Sequence, residues 1–122
     1  MKQEFKSTNI LQKLYNAFNG ILIPYRSEVS IRIQTAVVLA GTVLGFYLHI
    51  GRTDWLFLIV AAALLLITEC LNTALEKLVD LVSPGYHEIA GKVKDIAAGA
   101  VFLAGSAALI ISLLVFFPYF NK

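Results

Sequence analysis

Charge is what this sequence has least of. Only 15% of its residues are Asp, Glu, Lys or Arg, where ordinary soluble domains carry about 25%, and 58% are hydrophobic. That balance argues against a soluble core and for one membrane-embedded domain over residues 1–122. No basic block is present and the net charge is only +2, so nucleic acid is not an expected partner. The single cysteine, Cys70, excludes an internal disulfide and reads as a small packing residue in an apolar stretch. Nucleotide signatures are missing too. There is no Gly-rich loop ending in Gly-Lys-Ser/Thr and no protein-kinase motif set, and Gly85 and Gly91 are too isolated to form a phosphate loop. The polar N-terminus lacks a compact apolar core with a small-residue cleavage site, so no cleavable leader is expected. Neither an internal repeat nor a low-complexity linker is visible.

What the sequence does contain falls into four helical blocks. Ile10, Leu11, Leu14, Tyr15, Phe18, Ile21 and Leu22 share one face of a 3.6-residue period, opposite Gln12, Lys13, Asn16 and Asn19. This predicts an interfacial amphipathic helix over 7–24, capped by Ser7, Thr8 or Asn9 and ended by Pro24. Membrane helices are expected over 30–50, 55–82 and 93–117, with a turn at Gly51-Arg52-Thr53-Asp54 and a stop at Ser83-Pro84-Gly85. Ala97, Ala98, Gly99, Ala100, Ala104 and Gly105 give the last span a surface on which helices approach closely. The expected fold is therefore an all-α integral membrane protein, a surface helix followed by three transmembrane helices. Lys2, Lys6, Lys13, Arg26 and Arg32 precede the first span, Lys77, Lys92 and Lys94 flank the 83–95 loop, and only Arg52 and Lys122 fall on the other side. The positive-inside rule then places the N-terminus and that loop in the cytoplasm.

The run Glu69-Cys-Leu-Asn72-Thr-Ala-Leu-Glu76-Lys-Leu-Val-Asp80 follows the apolar stretch Trp55–Ile67 with no turn residue between. If one helix continues through both, Glu69, Asn72, Thr73, Glu76 and Asp80 stack on one face, opposite Leu71, Leu75, Leu78 and Val82. A charge deep in a bilayer costs about 2.5–3.5 kcal/mol on insertion scales, so such residues are functional candidates. Three spans wrap such a stripe poorly, which points to homo-oligomerisation. Carboxylates without thiols or paired histidines suit a hard cation such as Mg²⁺, a nearby lysine suits phosphate, and a carboxylate at the membrane edge suits proton removal from a lipid hydroxyl. Those parts suffice for phosphoryl transfer. The residue types alone leave a second reading open, a polar helix end solvated at the interface. Three small functional assignments stay equally open: Glu28 as an interfacial acid paired with Arg32, Asp80 as a solvated helix end, and Trp55, Tyr47 and Tyr119 as membrane anchors.

Glu69-x-x-Asn72-Thr73-Ala74-x-Glu76-x-x-Val79-Asp80, then Tyr86-His87, then Lys94-Asp95 with Ala97-Ala98-Gly99-Ala100-Val101, resembles the prokaryotic diacylglycerol kinase family. Lys13…Ala17-Phe18-x-Gly20 and Glu28-x-x-x-Arg32 extend the resemblance over nearly the whole chain. It implies a small Mg-ATP-dependent lipid kinase of the bacterial cytoplasmic (inner) membrane, a homotrimer of three-span subunits with shared active sites. Glu69 would be the catalytic base at the lipid hydroxyl, with Asn72 orienting it and Arg32 beside the lipid. Glu28 and Glu76 would hold Mg²⁺ on the ATP phosphates, and Glu76, Tyr86, His87, Lys94 and Asp95 would contact the nucleotide. Gly85 departs from a carboxylate often found there, so no contact is carried over at that position, nor any from the surface helix. The acceptor is expected to be diacylglycerol, giving phosphatidate, with undecaprenol as the alternative because the Ala-Ala-Gly-Ala-Val run also resembles undecaprenol kinases of the family. Two non-enzymatic readings compete: a cation-conducting oligomer, disfavoured because the acids cluster at one interface and the other spans lack polar stripes, and an inactive assembly subunit.

Overall fold

The computed structural model describes residues 9–121. Four helices follow one another: α1 (Ile10–Ser27), α2 (Val29–Leu48), α3 (Arg52–Val82) and α4 (Glu88–Phe120). Among the described residues there is no strand. Three of the helices, α2, α3 and α4, are long and apolar enough to cross a membrane. With its surface helix and three candidate spans, the chain has the expected architecture.

Local chemistry explains each boundary. Asn9 Oδ1 accepts the Gln12 N–H at 2.9 Å and so caps α1; the alternative caps Ser7 and Thr8 lie outside the described residues. Pro24 does not end α1, which runs one turn further to Ser27. A proline this close to a helix C-terminus removes a single ladder bond, and the final turn finds other partners. The Glu28 N–H donates to the Pro24 carbonyl at 2.8 Å, and the Arg32 guanidinium donates to the carbonyls of Tyr25 at 2.9 Å and Arg26 at 3.4 Å. Only Glu28, in an extended conformation, separates α1 from α2. A hydrogen bond of 2.7 Å between the Tyr25 and Thr35 hydroxyls ties the two helices together.

The expected turn at 51–54 is shorter in the structure. His49 in the left-handed region (φ 52°) closes α2, and Gly51 already caps α3. On this side Tyr119, near the end of α4, accepts the Gly51 N–H at 3.0 Å and donates to Asp54 at 2.5 Å, pinning the α2–α3 turn to α4. Trp55 packs against Phe46 with ring centroids 4.8 Å apart. The backbone at Gly45 comes so near that an added Cβ would stand 2.7 Å from the indole ring and 3.0 Å from the tip of Ile50. Gly45→Ala is therefore expected to destabilise the folded chain by about 1–3 kcal/mol, as overpacking does. Gly41→Ala, where an added Cβ meets nothing within 4 Å, should leave stability unchanged or raise it by up to about 1 kcal/mol. Unfolding in detergent by denaturant checks both.

α3 continues unbroken through the apolar run and the acidic stripe. Its 31 residues reach about 46 Å at 1.5 Å per residue, well beyond ~30 Å of hydrocarbon. α2, with 20 residues, is about 30 Å long and barely spans. The packing is lopsided. α3 and α4 form the main contact, while α2 meets α3 much less and α4 least. An apolar cleft of about 390 Å³, lined by Val37, Thr42, Trp55, Leu65, Gly105 and Phe116 among others, separates them. Ile10, Leu11, Leu14, Tyr15 and Phe18 leave the apolar face of α1 exposed, as a helix lying on lipid requires.

Candidate active site

The stripe on α3 divides by depth. Glu69 and Thr73 are buried, Asn72 and Glu76 half-buried, and Asp80 exposed. Leu71, Leu78 and Val82, on the opposite face, are exposed. The helix thus turns its polar side inward and its apolar side outward, the pattern a lipid surround demands.

Glu69 is only 3% exposed, and its partners come from α2. The Ser30 hydroxyl donates to Oε1 at 2.5 Å, and the Gln34 amide Nε2 donates to Oε2 at 2.9 Å. Ser30 and Gln34 stand four residues apart, one above the other on the first turns of α2. Ser30 is the second residue of α2, so the Glu69 carboxylate sits within about one turn of the start of that helix. Thr73 donates to the Glu69 carbonyl at 3.0 Å, the usual way a buried threonine hydroxyl is satisfied on a helix. These bonds lie within one chain, so Glu69 needs no second copy to be shielded. They also correct the expectation that the other spans lack polar stripes. The signal was present, as two polar residues at i and i+4 where an apolar helix begins.

Asn72 Nδ2 donates to Glu76 Oε1 at 3.3 Å. A carboxylate accepts only, which fixes the amide orientation and leaves Asn72 Oδ1 buried with no donor. Gln34 Oε1 is buried without a donor for the same reason. A buried polar atom left unsatisfied costs about 1–3 kcal/mol, and these two oxygens have no donor among the described residues.

The remaining predicted residues lie at the same end of the bundle. Lys94 Nζ bonds Asp80 Oδ1 at 2.6 Å, joining the start of α4 to the end of α3. Lys94 is half-buried and Asp80 exposed, and ion pairs near the surface contribute about 0–1 kcal/mol. His87 caps α4, its Nδ1 accepting the Ile89 N–H at 3.1 Å, and Tyr86 is 97% exposed. Asp95 is exposed and Glu28 half-buried. Arg32 is spent on the carbonyls ending α1, and among the described residues no ion pair joins it to Glu28. The structure thus brings together Asn72 with Glu76 and Lys94 with Asp80, and adds Ser30 and Gln34 to Glu69. Among the described residues no group of three or more His, Cys, Asp or Glu forms a metal-holding cluster.

Residues 15–116 match the family model described as prokaryotic diacylglycerol kinase. The chain belongs to that family. A diacylglycerol kinase of Synechocystis sp. is 37% identical over 111 residues, covering 90% of this chain and 63% of the relative, so the chain spans less than two thirds of that protein. An undecaprenol kinase of Bacillus subtilis is 32% identical over 114 residues, covering 90% of this chain and 93% of the relative. A diacylglycerol kinase of Escherichia coli is 28% identical over 114 residues, covering 93% of each.

Proposed function

We propose that the chain is an ATP- and Mg²⁺-dependent lipid kinase that transfers the γ-phosphoryl group to the hydroxyl of a membrane lipid, diacylglycerol giving phosphatidate. The observation that carries this reading, beside the family, is a buried carboxylate held by two neutral donors within a turn of the start of a candidate span. Each carboxylate oxygen has two acceptor sites, so Ser30 and Gln34 leave Glu69 free to take one more proton. Glu69 accepts the hydroxyl proton as the lipid oxygen bonds the γ-phosphorus, the bond to the β–γ bridging oxygen breaks, and ADP leaves. Lys94 exchanges Asp80 for phosphate oxygens, and Asp95, Tyr86 and His87 meet the nucleotide beside it. Arg32, anchored by the end of α1, lines the lipid's side of the site.

The donor set fits magnesium. It is all oxygen, it includes the orphaned Asn72 Oδ1 next to Glu76, and Mg²⁺ usually takes only one or two protein carboxylates together with substrate phosphates. Glu28 and Glu76 would hold it, and bound there it would neutralise phosphate charge. Asn72 keeps Glu76 oriented in the meantime.

The same reading places the protein in the bacterial cytoplasmic membrane with the N-terminus and the site facing the cytoplasm, on the strength of the Lys and Arg distribution. It also includes a homotrimer with shared active sites. Support for this comes from the broadly exposed apolar surfaces of α2–α4 and from Glu76 and Lys94 pairing with different partners within one chain.

One observation favours a second acceptor. The Bacillus subtilis relative, matched over 93% of its length, is an undecaprenol kinase. Purified protein in mixed micelles, given labelled ATP and either alcohol, decides between them. A higher kcat/KM for diacylglycerol is expected, and a preference for undecaprenol would reassign the acceptor while leaving the reaction type intact.

A further inference from the structure

We infer that Ser30 and Gln34 are positioning residues that set the Glu69 carboxylate for proton abstraction. The inference rests on the lipid-kinase reading above and goes beyond it, since neither residue belongs to the acidic motif. Several observations converge. Glu69 is almost wholly buried, yet no cation pairs with it among the described residues. Its charge is carried instead by two neutral donors, one on each oxygen, at 2.5 and 2.9 Å. A single donor would leave the carboxylate free to rotate about its terminal torsion, which is broad and roughly two-fold. Two donors from successive turns of one helix fix its plane.

Neutral donors also suit the task. A lysine or arginine in their place would neutralise the acid and spoil it as a base, whereas a hydroxyl and an amide hold it without cancelling its charge. Gln34 adds a directional element. With Nε2 committed to Glu69, its Oε1 faces away, buried and without a donor. Ser30 and Gln34 touch the reacting atoms only through Glu69, so their loss should slow chemistry and spare nucleotide binding.

The test compares parent, Ser30→Ala, Ser30→Thr and Gln34→Leu, each alone and in a Glu69→Gln background, as purified full-length protein with MgATP and a lipid alcohol. Loss of a hydrogen bond to a charged group predicts a kcat reduced about 10- to 100-fold for Ser30→Ala and Gln34→Leu. KM for MgATP should stay within about twofold, because the nucleotide is held elsewhere. Ser30→Thr, which keeps the hydroxyl, should recover most of the activity. In the Glu69→Gln background Ser30→Ala and Gln34→Leu should cause no further loss, because they act through a group already gone. A melting curve for each variant registers any that does not keep the fold, and Ser30→Thr and Glu69→Gln give readouts that a folding loss alone does not move. A parent that labels lipid alongside Ser30→Ala and Gln34→Leu variants of unchanged kcat overturns the inference alone. So does an equal drop in both backgrounds, or a loss that Ser30→Thr does not restore. A parent that labels no lipid alcohol removes the kinase reading and this inference together.

Discussion

Glu69→Gln should lower lipid phosphorylation about 10²- to 10⁴-fold, the usual contribution of a general base, with MgATP affinity within about twofold of the parent. The side chain keeps its length and one acceptor oxygen but loses the ability to take a proton. Folding should survive the change for a local reason. A glutamine at 69 sets one amide nitrogen against a donor from α2, and Gln34 can relieve that by turning over, since its Oε1 currently has no donor to lose. Steady-state kinetics with labelled ATP, paired with a melting curve, check both halves. Turnover near the parental value would show that another group removes the proton.

Glu76→Gln should fail differently. Here kcat falls and KM for MgATP rises by at least about 10-fold, on the scale seen when groups supporting a metal site are removed. The neutral amide retains an oxygen for Asn72 Nδ2, so the local bond persists and the loss is one of charge. The diagnostic is the split between the variants: one loses chemistry with nucleotide binding intact, the other loses both. Nucleotide binding measured directly, by calorimetry in detergent, separates them. Identical behaviour of the two would contradict the division of labour.

Much of this was readable from residue spacing. A stripe at steps of three and four on an uninterrupted apolar run requires one helix with a polar face, and α3 is that helix. The exposed apolar face of α1 follows from the same periodicity, and the three spans from the length of the apolar runs. Periodicity has less to say about partners across helices. Ser30 and Glu69 are 39 positions apart in sequence, and only the packing of α2 on α3 brings them together. Ser30 and Gln34 stand outside the acidic motif, and their meaning lies on another helix. Pro24 misled for a related reason, since the turn that follows it is held by Arg32, which donates to the carbonyls of Tyr25 and Arg26. The same Arg32 contacts explain why the local Glu28–Arg32 pair, attractive at i and i+4, is not the one made: a helix C-terminus with orphan carbonyls lies closer to hand.

The most direct measurement is the fate of the γ-phosphate when purified protein in lipid vesicles receives labelled ATP and a lipid alcohol. Label should pass to the lipid in a magnesium-requiring reaction and all but disappear with Glu69→Gln. Label that stays in ATP or emerges only as inorganic phosphate, or that reaches lipid equally with the Glu69→Gln variant, would contradict a kinase built around that buried carboxylate.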